Sequence, residues 1–193
     1  MQSIWEWSGT FASVCANAAA IFMLWLFAGA GVHKLLPANS DGYAEIFNDF
    51  GITAPGLARS LPKLIGALEI TLGLMIVLPF TRAPGALACA GLLLAYMGLL
   101  GWQLAKGRAD MNCGCSGPAG ELKISTHLLW RNFALTALAL LCLAPLNPAP
   151  TSATVDHWNA WLLAGTMAAA MILLYLSCEQ LIGNAQKLKT LKY

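Results

Sequence analysis

Charge is scarce in this chain. Only 10% of its 193 residues are Asp, Glu, Lys or Arg, where soluble domains carry about 25%. Too little polar surface remains to cover a water-soluble body. The 11 basic and 9 acidic residues leave a formal charge of +2, with no basic stripe interleaved with aromatics, which excludes a nucleic-acid binder. Residues 1–13 hold no Lys or Arg, so the positive n-region of a secretory signal is missing and the first apolar segment reads as a retained helix. Period-two alternation is absent from the apolar runs, which argues against a closed β-barrel. No internal repeat or low-complexity tract appears.

What is present is a series of long uncharged runs, bounded by small clusters of charge. Phe11 to Val32 is uncharged and closes on His33-Lys34. Lys63 opens a run to Phe80 broken only by Glu69, and Ala83 to Ala105 is uncharged. Ile124 to Ala144 is apolar apart from His127, Arg131 and Asn132, and Trp158 to Cys178 is uncharged. A helix needs about 20 residues to cross the ~30 Å hydrocarbon core, and backbone groups in lipid must be paired within their own segment. The expected fold is therefore all-α: a single polytopic membrane domain of about five transmembrane helices, near residues 11–33, 63–80, 84–105, 124–144 and 158–180. In the 35–62 loop, Tyr43, Ile46, Phe47 and Phe50 recur at helical spacing, which predicts a short amphipathic helix at the membrane surface. Gly51 and Pro55 would end it.

Basic residues sort by side. Lys34, Arg59, Lys63, Lys106, Arg108, Lys123, Lys187, Lys189 and Lys192 fall on alternate loops with the tail, while Arg82 alone falls on the other side and Arg131 lies inside a run. The positive-inside rule then places the N-terminus outside and the C-terminus in the cytoplasm. Trp5, Trp7, Trp102, Trp158 and Trp161 sit where interfacial anchors are useful.

Six cysteines are present. Cys113-Gly114-Cys115 lies in the 106–123 loop among polar and turn-forming residues, which suits neither core packing nor a lipid-facing helix. Two thiols one residue apart can close a tight ring, with Gly114 supplying the backbone freedom. A strained bridge of this kind is oxidising and easily exchanged. A static bridge would restrain almost no chain, though an inert pair stays open as a reading. A metal site lacks ligands, because His127 is far along the chain and no second pair is near. Cys15, Cys89, Cys142 and Cys178 read mainly as small packing residues in apolar helices, with a thiol relay across the membrane as the sharper alternative.

Ionisable residues inside membrane helices need a partner or a polar interior. Glu69 lies six residues beyond Lys63, and Arg131 eight beyond Lys123, or roughly 9 and 12 Å in at 1.5 Å per residue. That common depth predicts a Glu69–Arg131 ion pair, whose other role would be to lock two helices together. His127 is one helical turn from Arg131, and His33 and Lys34 end the first helix on the same side. Glu69, His127, Arg131, His33 and Lys34 are thus expected to cluster near Cys113 and Cys115. Cationic neighbours lower a thiol pKa, and a histidine can pass the proton.

Two stretches carry a family resemblance: Phe27-Ala-Gly-Ala-Gly-Val-His-Lys-Leu-Leu36, and Gly107-Arg-Ala-Asp-Met-Asn-Cys-Gly-Cys-Ser-Gly-Pro118 followed by Leu129-Trp-Arg-Asn132. Together with Glu69 in Leu-Glu-Ile-Thr-Leu-Gly-Leu, they resemble the MauE family of methylamine utilisation proteins, within the wider DoxX-like group, over roughly residues 20–145. The resemblance implies a four-helix DoxX-like core plus one C-terminal helix in the bacterial inner membrane. It implies a thioredoxin-like, MauD-like partner and, indirectly, the disulfide-rich small subunit of periplasmic methylamine dehydrogenase. The resulting expectation is a membrane thiol–disulfide redox protein in which Cys113 and Cys115 exchange with a partner dithiol during maturation of that subunit. No cofactor is required, although a pocket beside Glu69 and Arg131 could hold a quinone headgroup. The alternatives are a non-catalytic membrane anchor for the partner, and a small quinone-linked subunit or transporter. The charge count puts the Cys-Gly-Cys loop in the cytoplasm while the disulfides to be made are periplasmic, so either the count misleads or electrons cross the membrane. A reporter fused after Tyr193 is expected to be active only on the cytoplasmic side; periplasmic phosphatase activity from that fusion would reverse the topology.

Overall fold

The computed structural model describes residues 4–108, 124–143 and 154–190. Among them the chain is all-helical, with six α-helices: α1 (Ile4–Leu35), α2 (Ser40–Asp49), α3 (Pro55–Val77), α4 (Arg82–Ala105), α5 (Thr126–Leu141) and α6 (Thr154–Thr190). A single 3-10 turn, Pro37–Asn39, links α1 to α2. Four segments of the described residues are long and apolar enough to cross a membrane: Phe11–Leu35, Gly56–Val77, Arg82–Ala105 and Trp158–Ala185. The remaining apolar run forms α5, which at 16 residues is shorter and packs along α4.

The second run extends further towards the N-terminus than its charges imply. Lys63 is not its boundary, because α3 begins at Pro55, where the missing N–H costs nothing. Pro62 lies fully buried inside that helix, and the helix continues through it. The far end stops at Val77 rather than Phe80. Thr81 holds the short turn there, its hydroxyl donating to the Met75 carbonyl at 2.9 Å. The surface segment around Tyr43 is helical, with Tyr43 and Ile46 buried against the bundle and Asp41, Glu45 and Asp49 exposed.

α1 is the central helix and packs on α3, α5 and α6. Small residues permit this. Ala16, Ala18, Ala19 and Ala20 are all buried, and Val14 and Ala18 meet Ala164 and Ala168 of α6. Close approach of small-residue faces is how helices gain dispersion contacts where lipid removes the hydrophobic drive. The main core joins Phe22, Met23 and Phe27 of α1 to Leu72 and Ile76 of α3, Cys89 and Leu93 of α4, and Leu135 and Ala139 of α5. Phe22, Trp25 and Tyr175 form an aromatic triangle with centroid separations of 5.8–6.1 Å, which fastens α6 to α1.

The tightest contact is between α1 and α3. A Cβ added at Gly31 would lie 2.5 Å from the Gly66 carbonyl oxygen and 2.7 Å from Ile70 Cγ1, whereas one added at Gly29 meets nothing within 4 Å. Gly31→Val is therefore expected to cost about 1–3 kcal/mol through overpacking, and Gly29→Val almost nothing. Thermal unfolding of the two variants in detergent checks this, and equal melting temperatures would contradict the contact.

Candidate functional site

The end of the bundle where α1 terminates gathers most of the buried polar side chains among the described residues. Lys34, in the last turn of α1, reaches Glu69 of α3 with Nζ 2.9 Å from Oε1 and 2.8 Å from Oε2. Tyr96 of α4 donates its hydroxyl to the same carboxylate at 2.6 Å. Both charged groups are nearly inaccessible, at 7% for Lys34 and 2% for Glu69. An ion pair in this setting is tolerable only when its oxygens and protons are well matched, and the Tyr96 hydroxyl supplies one of the extra bonds. The Gly31–Gly66 approach places the two helix backbones close enough for the pair to form.

Glu69 thus takes Lys34 as its ionic partner, and the expected Glu69–Arg131 pair gives way to two separate ones. Arg131 of α5 pairs with Glu179 of α6, Nη1 to Oε1 at 2.5 Å, and Tyr175 donates to that same Oε1 at 2.8 Å. Depth along each helix was common to Glu69 and Arg131, but depth says nothing about rotation. The long, flexible stem of Lys34 lets its ammonium turn back into the bundle rather than out to the interface. Glu179 lies one residue past the uncharged run that ends at Cys178, and its spacing of four from Tyr175 is the sequence signal that marks it.

Around these pairs lies a partly open cavity of about 580 Å³. Its walls are mostly apolar, including Phe27, Ile65, Leu93 and Leu135. Lys34, Glu69, Tyr96, Gln103, Asn132 and Arg131 line it from four helices, and Lys106 and Arg108 stand at its exposed edge. Lys34, Glu69 and Arg131 therefore share one cavity. His33 is drawn to the α1–α2 junction instead, with Nδ1 3.1 Å from the Tyr43 hydroxyl and Asn39 against the same ring. His127 is exposed on α5 and does not line the cavity. The buried residues of α5 are Leu128, Asn132, Leu135, Thr136 and Ala139; Arg131 and His127 both border that stripe, and Arg131 is half-buried where His127 is exposed.

Cys113, Cys115 and Lys123 lie outside the described residues. Arg108 and Ile124 are the flanking described positions. Arg108 is at the cavity edge, and Ile124 is buried against Leu100 and Leu128. The four other cysteines are free thiols. Cys89 and Cys142 are buried in the main core, Cys15 is half-buried and Cys178 is exposed.

A second polar station closes the opposite end, and sequence reasoning missed it. Arg82, which counted only as a lone loop charge, is 6% exposed. Its guanidinium donates to the Cys142 carbonyl at 3.1 Å, Asn17 Oδ1 at 2.8 Å and the Ala16 carbonyl at 2.5 Å. It thereby caps the C-terminus of α5, where a cation is favoured, and ties α4 to α1.

The family model for methylamine utilisation protein MauE matches residues 12–145. The chain belongs to the MauE family. A MauE protein of Paracoccus denitrificans is 30% identical over 166 residues, covering 86% of each chain. One from Methylorubrum extorquens is 30% identical over 130 residues, covering 66% of this chain and 69% of the relative. A third, from Paracoccus versutus, is 29% identical over 163 residues and 84% of each chain. No solved structure matches the chain. The matched region of the MauE family model contains Lys34, Glu69, Tyr96, Gln103, Arg131 and Asn132 as well as the Cys-Gly-Cys segment, but not Tyr175 or Glu179.

Breaking the Lys34–Glu69 pair from one side is expected to be far worse than removing both charges. Lys34→Met leaves a buried carboxylate and should cost about 3–5 kcal/mol, whereas Lys34→Met with Glu69→Leu should recover most of that loss. Thermal denaturation of the single and double variants in detergent measures the difference; a double variant no better than the single would show that the pair is not coupled.

Proposed function

We propose that this protein serves methylamine utilisation as a membrane thiol–disulfide exchange component, working with a thioredoxin-like partner on the disulfides of the methylamine dehydrogenase small subunit. Membership of the MauE family implies the role in methylamine utilisation. The observation that carries the thiol chemistry is Cys113-Gly114-Cys115, two sulfurs one residue apart in the loop between α4 and α5. Exchange proceeds by attack of one thiolate on a partner disulfide, giving a mixed disulfide that the second cysteine resolves; the partner leaves as a dithiol and Cys113–Cys115 becomes the disulfide. The reverse sequence oxidises the partner. In either direction two electrons and two protons move between the pairs, and no cofactor is needed for the step.

The surroundings support this reading. Lys106 and Arg108 precede the loop, and cations near a thiol raise its thiolate fraction. The protein is a membrane bundle by its helices, which would hold the loop at an interface where a partner domain can reach it. An anchor that merely holds the partner would not need the sulfurs.

Cys113→Ser and Cys115→Ser are each expected to abolish maturation of methylamine dehydrogenase while leaving the protein folded in the membrane at normal abundance. Active dehydrogenase from cells carrying the double serine variant would discard the exchange reading and leave the anchor. Labelling the two thiols in sealed vesicles with a membrane-impermeant maleimide, with and without reductant, reports both the side of the loop and its redox state.

A further inference from the structure

The cavity holds two buried amides that the ion pairs do not use. Gln103 of α4 is 7% exposed and Asn132 of α5 is 2% exposed. Both line the cavity, and Gln103 Oε1 and Asn132 Nδ2 have no hydrogen-bond partner among the described residues. A buried polar atom left without a partner is costly, and native proteins keep few of them. One of these atoms is an acceptor and the other a donor, and they come from two helices packed on each other.

We propose that this cavity binds a lipid-soluble quinone, in its quinone or quinol form. The volume of about 580 Å³ falls within the ~300–1,000 Å³ of small-molecule sites, which are mostly apolar with a few placed polar groups. A ring that carries oxygens at opposite positions can accept from Asn132 Nδ2 at one and donate, as the quinol, to Gln103 Oε1 at the other. Phe27, Phe50, Tyr96 and Trp102 supply aromatic surface for the ring, and the apolar walls suit the first part of an isoprenoid tail. An anionic lipid is the rival, drawn by Lys106 and Arg108 at the edge. A phosphate offers acceptors to those cations and to Asn132, but a fully ionised phosphate offers no donor to Gln103 Oε1. The site is built from described residues and does not include Cys113 or Cys115, so it does not depend on the thiol reading.

The test uses the full-length protein in nanodiscs of phosphatidylcholine, titrated with decylubiquinone and followed by quenching of tryptophan fluorescence, to which Trp102 contributes from the cavity wall. Saturable quenching is expected. Asn132→Leu should raise the Kd for decylubiquinone about tenfold, and Gln103→Leu should raise the Kd for decylubiquinol, measured by competition, by a similar factor; Gln103→Met serves where a leucine variant fails to fold by circular dichroism. The Cys113→Ser, Cys115→Ser double variant should bind as the wild type does, so failure of the exchange reading leaves this one standing. Non-saturable quenching, or a Kd unchanged by the amide substitutions, would overturn the proposal. So would binding that is lost on adding phosphatidylglycerol and that depends only on Lys106 and Arg108, since the cavity would then be an anionic-lipid site.

Discussion

The bundle is organised by the need to neutralise charge where water is absent. Lys34 and Glu69 satisfy that need for each other, with Tyr96 completing the carboxylate shell. The pair in turn requires α1 and α3 to run almost backbone to backbone at Gly31 and Gly66, where any side chain would collide. Sequence and packing thus depend on each other here. Two glycines permit the approach, the approach brings an ammonium to a carboxylate, and the matched charges hold together two helices that lipid alone would not drive together. The helices not so joined are fastened by other means: α6 by alanine contacts and the Phe22–Trp25–Tyr175 triangle, α5 by the Arg131–Glu179 pair and Arg82.

The two ends of the bundle handle polarity differently. At the Arg82 end the guanidinium is spent on two backbone carbonyls and one side-chain amide, and the cysteines beside it are packed into the core. Among the described residues there, no buried polar side-chain atom is left over for a ligand. At the other end the ion pairs line a cavity instead of filling it, and Gln103 Oε1 and Asn132 Nδ2 are left without a partner among the described residues. Buried ionisable groups in membrane helices carry either structure or function, and here the division falls by end: a lock at one face and a lined chamber at the other.

Much of this was legible in the sequence, to a definite depth. Gaps in the charge pattern located the apolar helices because a charge in lipid is costly wherever it falls. The same physics demanded a partner for Glu69. It could not name the partner, because counting residues inward gives height along a helix and leaves rotation free. Lys34 is expected in the same cluster but not as the partner of Glu69, yet its long stem carries the ammonium to that carboxylate. His127 shares a nominal helix face with Arg131, but a short imidazole stays outside where a long guanidinium reaches in. Gln103 and Asn132 carry no charge, so no penalty drew attention to them; only the cavity wall does. Arg82 was hidden by the opposite error, since a cation at the end of an apolar run looks like a loop charge until carbonyls of two neighbouring helices are seen around it.

These pairings also change which groups can act on the thiols under the exchange reading. Arg131 lies 2.5 Å from Glu179, and Lys34 shares its charge with Glu69. Neutralised pairs project little field beyond their own contact, because the potentials of the two charges nearly cancel a few ångströms away. Arg131 and Lys34 are therefore poor candidates for lowering a cysteine pKa. Lys106 and Arg108 differ: both are exposed at the cavity edge, have no acidic partner among the described residues, and precede Cys113 by seven and five positions. Lys106 is steadied over the Trp102 ring at 4.8 Å, an arrangement that keeps its charge intact. Being solvent-facing, their effect on a thiol falls with ionic strength, whereas an effect routed through the half-buried Arg131 would be screened less. Under the exchange reading, electrostatic help for a thiolate would come from Lys106 and Arg108, while Lys34, Glu69 and Arg131 line the cavity.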